Sequence, residues 1–77
     1  MELIDTPNPN AKKVLANDIS SSNFNKENTQ SFISKQLKNI EGVTSTFFGP
    51  DFITITKGEN VSWDSINQDI INIFDKL

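Results

Sequence analysis

The stretch Val43-Thr44-Ser45-Thr46-Phe47-Phe48-Gly49-Pro50-Asp51-Phe52-Ile53-Thr54-Ile55-Thr56-Lys57 decides the architecture. Two runs, 43–48 and 52–57, are rich in the β-branched and aromatic side chains that suit a pleated, half-buried surface. Between them Gly49-Pro50-Asp51 forms a turn signal, because the proline ring presets the φ of turn position i+1. The spacing predicts a β-hairpin. In its second arm, strand alternation puts Ile53 and Ile55 on one face and Phe52, Thr54 and Thr56 on the other. One face therefore packs and the other is largely polar. The same alternation sends one of Phe47 and Phe48 toward the core and leaves the other on the open face.

Downstream, Lys57-Gly58-Glu59-Asn60 reads as a turn, and Ser62 as the N-cap of a helix. Val61 and Ile66 occupy the two positions of a hydrophobic staple. Trp63, Ile66, Ile70, Ile73 or Phe74, and Leu77 then recur at helical spacing, with polar residues filling the remaining positions. Upstream, Ile33, Leu37 and Ile40 fall at i, i+4 and i+7, which predicts a helix over 31–40 capped by Ser31 or Asn28. Gly42 is expected at C′ of that helix, with Val43 making the apolar contact of a Schellman ending. The segment from Asn17 to Asn28 is almost wholly polar, so it reads as a loop anchored only by Ile19 and Phe24. Before it, Ala11–Ala16 and Glu2–Asp5 read as two short strands, antiparallel across Thr6-Pro7-Asn8-Pro9-Asn10. The order is ββαββα. Two helices with one apolar stripe each are most simply buried on one face of a four-stranded, mainly antiparallel sheet, giving a two-layer α+β fold.

A chain of 77 residues supports one core, so residues 1–77 are expected to form a single domain. The sequence contains neither Cys nor His, so no disulfide, no imidazole base and no thiolate ligand is available. Its carboxylates, Asp51, Glu59, Asp64, Asp69 and Asp75, fall on turns and on the polar helix face, where charge is ordinarily just solvated. The glycine-rich phosphate loops are missing as well. Neither catalytic nor metal-ligating residues are therefore assigned, and the chain is expected not to be an enzyme. The net charge is −3 and every cation is a lysine, which leaves no basic stripe for nucleic acid or for an anionic membrane. The N-terminal residues lack a basic and apolar leader, and no apolar run approaches bilayer length. The expectation is a soluble, cytoplasmic protein.

Thr6-Pro7-Asn8-Pro9-Asn10 stands apart. Two prolines and two turn-forming amides make a pre-ordered loop that loses little entropy on binding. It is the leading candidate for a recognition surface; the competing reading is that it only holds the first two strands in register, its Asn side chains capping loop backbone. The aromatic residues Phe47, Phe48 and Phe52 suggest a base-stacking platform. The charge balance argues against this, and core packing is the preferred reading. Trp63, opening its helix on the apolar stripe, reads as a core-edge residue whose indole N–H needs a carbonyl or water.

The motifs Asp5-Thr6-Pro7-Asn8-Pro9-Asn10 with Lys13, then Leu37 and Ile40-Glu41-Gly42-Val43, then Phe47-Phe48-Gly49-Pro50-Asp51-Phe52-Ile53-Thr54-Ile55-Thr56-Lys57, and finally Trp63 resemble the N-terminal domain of Nfu-type (NifU-like) iron–sulfur cluster proteins. The resemblance runs over almost the whole chain and keeps the order and rough spacing of the motifs. Val14, Thr46 and Phe32 depart from the family pattern, which often has Phe, Val and Pro there. What the resemblance implies is a part in iron–sulfur cluster assembly or delivery. It also implies that the [Fe–S] cluster sits on a separate C-terminal Nfu domain with a Cys-x-x-Cys pair, attached in cis or supplied in trans. No cofactor is then expected in this chain itself. Its implied role is recognition of apo iron–sulfur proteins or cluster donors, with Thr6, Pro7, Asn8, Pro9, Asn10, Gly49, Pro50 and Asp51 as candidate contacts. The alternative is a stand-alone small interaction or structural protein with the same fold and no cluster role.

Overall fold

The computed structural model describes residues 2–18 and 26–76. Ile19 and Phe24, expected to anchor the polar loop, and Leu77 of the terminal stripe lie outside the described residues. The chain forms β1 (Ile4–Asp5), β2 (Ala11–Leu15), a short 3-10 turn (Ala16–Asp18), α1 (Glu27–Lys38), β3 (Val43–Phe48), β4 (Phe52–Lys57) and α2 (Trp63–Asp75). The strands make one sheet in the order β1-β2-β4-β3, with every neighbouring pair antiparallel. The two-layer α+β architecture read from the sequence is the one observed.

Register sets the core. Val14 pairs with Ile53 and Lys12 with Ile55, so these four side chains share a face. Val14, Ile53 and Ile55 are fully buried there against Ile33 and Leu37 of α1 and Ile66, Ile70, Ile73 and Phe74 of α2. Burying each such side chain contributes about 1.5–3 kcal/mol relative to leaving it in water. Both Ile73 and Phe74 are buried, so α2 uses both of the alternatives that its periodicity offered. Its start is as expected: the Ser62 hydroxyl accepts from the Asp64 N–H at 3.2 Å, and Val61 packs on the core near buried Ile66.

Two details of α1 differ from expectation. The helix starts at Glu27, earlier than its apolar residues indicate, because the Gln30 N–H donates to the Lys26 carbonyl at 3.0 Å and closes a first turn that is wholly polar. Asn28 and Ser31 are thus inside the helix rather than at its cap. The residue at the cap position, Lys26, supplies no side-chain hydrogen bond, while Glu27 places a carboxylate in the first turn, the favourable end for negative charge. At the other end there is no Schellman ending on Gly42. The helix stops at Lys38 and Asn39 keeps a right-handed conformation; the Val43 N–H then donates to the Ile40 carbonyl at 3.1 Å. Gly42 occupies the third position of that separate turn with φ 106°, as a type II turn requires.

A bulge follows at once. Val43 pairs with Lys57 but Ser45 already pairs with Thr56, leaving Thr44 as the extra residue, its hydroxyl donating to the Thr56 carbonyl at 3.1 Å. The bulge resets the alternation, so Val43, Thr46 and Phe48 all reach the helix layer. Val43 and Phe48 pack on the core, and the Thr46 and Ser34 hydroxyls are 3.2 Å apart. Phe47 is left on the open face, 64% exposed.

Candidate partner-binding site

The Thr6–Asn10 loop is built from its own polar groups. The Thr6 hydroxyl lies 2.9 Å from the Ala11 carbonyl and 3.0 Å from that of Asn8, and accepts from the Asn8 N–H at 3.2 Å. The Asn8 carboxamide oxygen accepts from the Asn10 N–H at 2.9 Å, and the Ala11 N–H returns to the Asn8 carbonyl at 3.0 Å. Prolines at 7 and 9 remove two donors that would otherwise need partners. What the loop turns outward is Pro7, Asn8 and Pro9, all exposed.

Its base is clamped by two residues far along the chain. The Trp63 indole N–H donates to the Pro9 carbonyl at 2.9 Å, the carbonyl partner its sequence position called for. The Lys57 ammonium donates to the Asn10 carboxamide oxygen at 2.9 Å and to the Gly58 carbonyl at 3.3 Å, and the Lys57 N–H donates to the Asn10 carbonyl at 2.8 Å. Lys57 and Lys12 approach the Trp63 ring, with ammonium-to-centroid distances of 5.8 and 5.4 Å, within cation–π range. Lys12 also pairs with Asp5 at 3.4 Å. Asp5, Pro7, Pro9, Lys12 and Trp63 line a shallow cleft beside the loop.

Lys57 is the residue that sequence reading missed. It is only 8% exposed, unusual for a lysine. The signal was present in the alternation: position 57 continues the inward face of Ile53 and Ile55, so the stem is buried and the ammonium reaches the end of the sheet, where Asn10 and Gly58 receive it. The asparagine that receives it, Asn10, gives no such signal.

Gly49, Pro50 and Asp51 are not brought to this loop. Lys57 meets Asn10 at one end of β4, whereas the Gly49–Asp51 turn precedes Phe52 at its other end, about 17 Å away by strand rise. The turn is shaped by contacts of its own. The Gly49 N–H donates to the Phe52 carbonyl at 2.8 Å, and the Asp51 carbonyl accepts from the Ala16 N–H at 2.8 Å. A Cβ on Gly49 would meet the Phe52 ring at 2.2 Å, so glycine is required for the ring to lie where it does. Phe52 in turn faces Phe47 at 6.3 Å between ring centroids, tilted by 45°. Of the aromatic platform weighed from the sequence, only Phe47 is strongly exposed.

Among the described residues no group of three or more acidic side chains gathers into a possible metal site. No described helix is long and apolar enough to cross a membrane.

Comparison with known proteins gives a consistent result. The profile of the family described as "Scaffold protein Nfu/NifU N terminal" matches residues 1–77. The "NFU1 iron-sulfur cluster scaffold homolog, mitochondrial" of Homo sapiens is 41% identical over 73 residues, covering 86% of this chain and 29% of that protein. "NifU-like protein 5, mitochondrial" of Arabidopsis thaliana is 34% identical over 76 residues, covering 88% of this chain and 27% of that protein. The chain thus spans under a third of the length of these relatives. Among solved structures, the crystal structure of protein SAV1430 from Staphylococcus aureus superposes with a TM-score of 0.74 at 24% identity, covering 96% of this chain and 95% of that one. A solution NMR structure of a Staphylococcus epidermidis protein gives a TM-score of 0.60 at 32% identity, covering 99% of this chain and 94% of that one.

Proposed function

The chain belongs to the Nfu/NifU N-terminal family, and from that premise we propose that it is the protein-interaction domain of an iron–sulfur cluster assembly or delivery system and binds no cluster itself. Its partners in this reading are apo iron–sulfur proteins or cluster donors. The cluster belongs to a Cys-x-x-Cys Nfu domain, in cis or in trans, because this chain offers neither thiolate nor imidazole to hold iron.

One observation carries the reading: the Thr6–Asn10 loop is held by the hydrogen bonds of Thr6 and Asn8 and by the clamp of Trp63 and Lys57 at its base, yet turns Pro7, Asn8 and Pro9 to solvent. A loop ordered before contact loses little entropy in making it. The register-holding role and the recognition role are thus compatible, since the bonds that order the loop leave its outer surface free. Gly49, Pro50 and Asp51 form a second contact surface at the opposite end of the sheet, together with Phe47 and Phe52. Two surfaces so far apart suit two different neighbours, such as the cluster-bearing domain and a recipient.

Amide shift mapping tests this reading. As a cluster-loaded Nfu C-terminal domain and an apo-ferredoxin are titrated in separately, shifts are expected to concentrate on residues 6–10 or 49–52. Uniform silence at both surfaces with both partners would sink the proposal. Reconstitution of the isolated chain with iron and sulfide should leave it colourless. The cytoplasm is our proposed compartment, checked by fractionation of the producing cell; the word mitochondrial belongs to the names of the relatives.

A further inference from the structure

The two edges of the sheet are unlike. The β1 edge is two residues long, carries Asp5 and is followed closely by Pro7, features that discourage pairing with another strand. The β3 edge is six residues long, Val-Thr-Ser-Thr-Phe-Phe, with neither charge nor proline within it. The hydrogen bond from Gly49 to Phe52 fixes which backbone groups of β3 point toward β4: those of Ser45 and Phe47 do, and the N–H and C=O of Thr46 point outward. Beside this edge runs a groove between α1 and β3, lined by Glu27, Ser31, Ser34, Lys35, Lys38 and Thr46. The order of charge along it is directional. Glu27 stands at the start of the helix, Lys35 and Lys38 at its end, and two serines lie between.

From these features we propose that β3 is a self-association edge, and that its occupant is a second copy of this chain paired antiparallel to it. A two-fold axis beside Thr46 and Phe47 would extend the sheet from four strands to eight. The axis reverses one α1 against the other, so Glu27 of each chain meets Lys35 and Lys38 of its copy, and the serines let the helices approach. A groove with this charge order is complementary to itself only in the antiparallel sense, which is the sense a two-fold axis imposes. The same axis brings the two Phe47 side chains to one side of the extended sheet, where Phe47 is the most exposed large hydrophobic among the described residues. The Thr6–Asn10 loop, on the β1–β2 side, stays uncovered, so this pairing leaves the first partner surface proposed above open, whereas it shares Phe47 with the second.

Sedimentation equilibrium of the chain from about 10 μM to about 1 mM tests the proposal, those limits bracketing weak specific association. A monomer–dimer equilibrium is expected, with exchange of the Thr46 amide slowing as dimer forms and exchange in residues 4–10 unchanged. Lys38 and Glu27 are exposed, so charge reversals there leave the fold intact. Lys38→Glu should weaken the dimer about tenfold, since the axis repeats each ion pair and converts both to repulsion. The double variant Glu27→Lys with Lys38→Glu should recover the affinity to within about twofold, because the swapped charges again face one another. A strict monomer at the highest concentration overturns the proposal. So does a dimer indifferent to Lys38→Glu, one not rescued by the swap, or one that protects the β1 edge instead.

Discussion

Replacing Gly42 by alanine probes the described glycine that holds a positive φ. Gly42 sits at φ 106°, and a Cβ there would stand 2.8 and 3.0 Å from the two γ-methyls of Val61. The backbone conformation alone costs an L-residue about 1–3 kcal/mol. Displacing Val61, which packs on the core and forms the staple before α2, adds about 1 kcal/mol. The reduced entropy of the unfolded alanine chain returns about 0.4–1 kcal/mol. The net loss expected is therefore about 1–3.5 kcal/mol, or on the order of 5–25 °C in Tm for a domain of this size. Urea unfolding followed by the fluorescence of Trp63, the single tryptophan, reads the loss directly. Gly58→Ala is the matched control: its Cβ would find its nearest neighbour at 3.8 Å, so its stability should stay within about 1 kcal/mol of the parent. A Val61→Ala background should relieve the steric part but not the conformational part, giving a coupling of about 1 kcal/mol. If Gly42→Ala and Gly58→Ala destabilise equally, the assignment of strain and close approach to Gly42 is wrong.

Three further substitutions separate the other contributions. Trp63→Phe keeps an aromatic ring for packing but removes the donor to the Pro9 carbonyl; amides of residues 8, 10 and 11 should exchange about 5–10-fold faster with a global loss near 1 kcal/mol, measured by hydrogen exchange and calorimetry. Leu37→Ala opens a cavity at a fully buried site between α1 and the sheet and should lower urea-unfolding stability by about 2–5 kcal/mol. Ser62→Ala removes the acceptor for the Asp64 N–H and should lower it by about 1 kcal/mol, with a Ser62→Asp variant close to the parent.

Much of this molecule was legible because one periodic signal at a time decided it. The 52–57 alternation predicts a strand with Ile53 and Ile55 inward, and the stripe from Ile66 to Phe74 predicts α2; both describe large apolar side chains whose burial dominates the energetics. Legibility failed where polar backbone chemistry decided. The first turn of α1 carries no apolar residue, so nothing in its pattern indicated a start at Glu27. Gly42 was recognised as a residue for positive φ, but whether it ends the helix or serves a separate turn depends on which carbonyl the Val43 N–H reaches. The Thr44 bulge reverses the phase of half a strand without any mark in the sequence. For the candidate site, the stiffness of the loop was visible in Pro7 and Pro9, and so was the need of Trp63 for an acceptor. That the two needs answer each other was not, because local patterns say nothing about pairings 54 residues apart.

That pairing has a consequence for the order of events during synthesis. Residues 6–10 leave the ribosome well before the groups that clamp them, since Lys57 follows Asn10 by 47 residues and Trp63 follows Pro9 by 54. A nascent chain lacking α2 displays the loop without the indole clamp at its base. The outward face of Pro7 and Pro9 thus takes its full stiffness once α2 has docked, so a partner that reads it also reads completion of this sheet-and-helix unit.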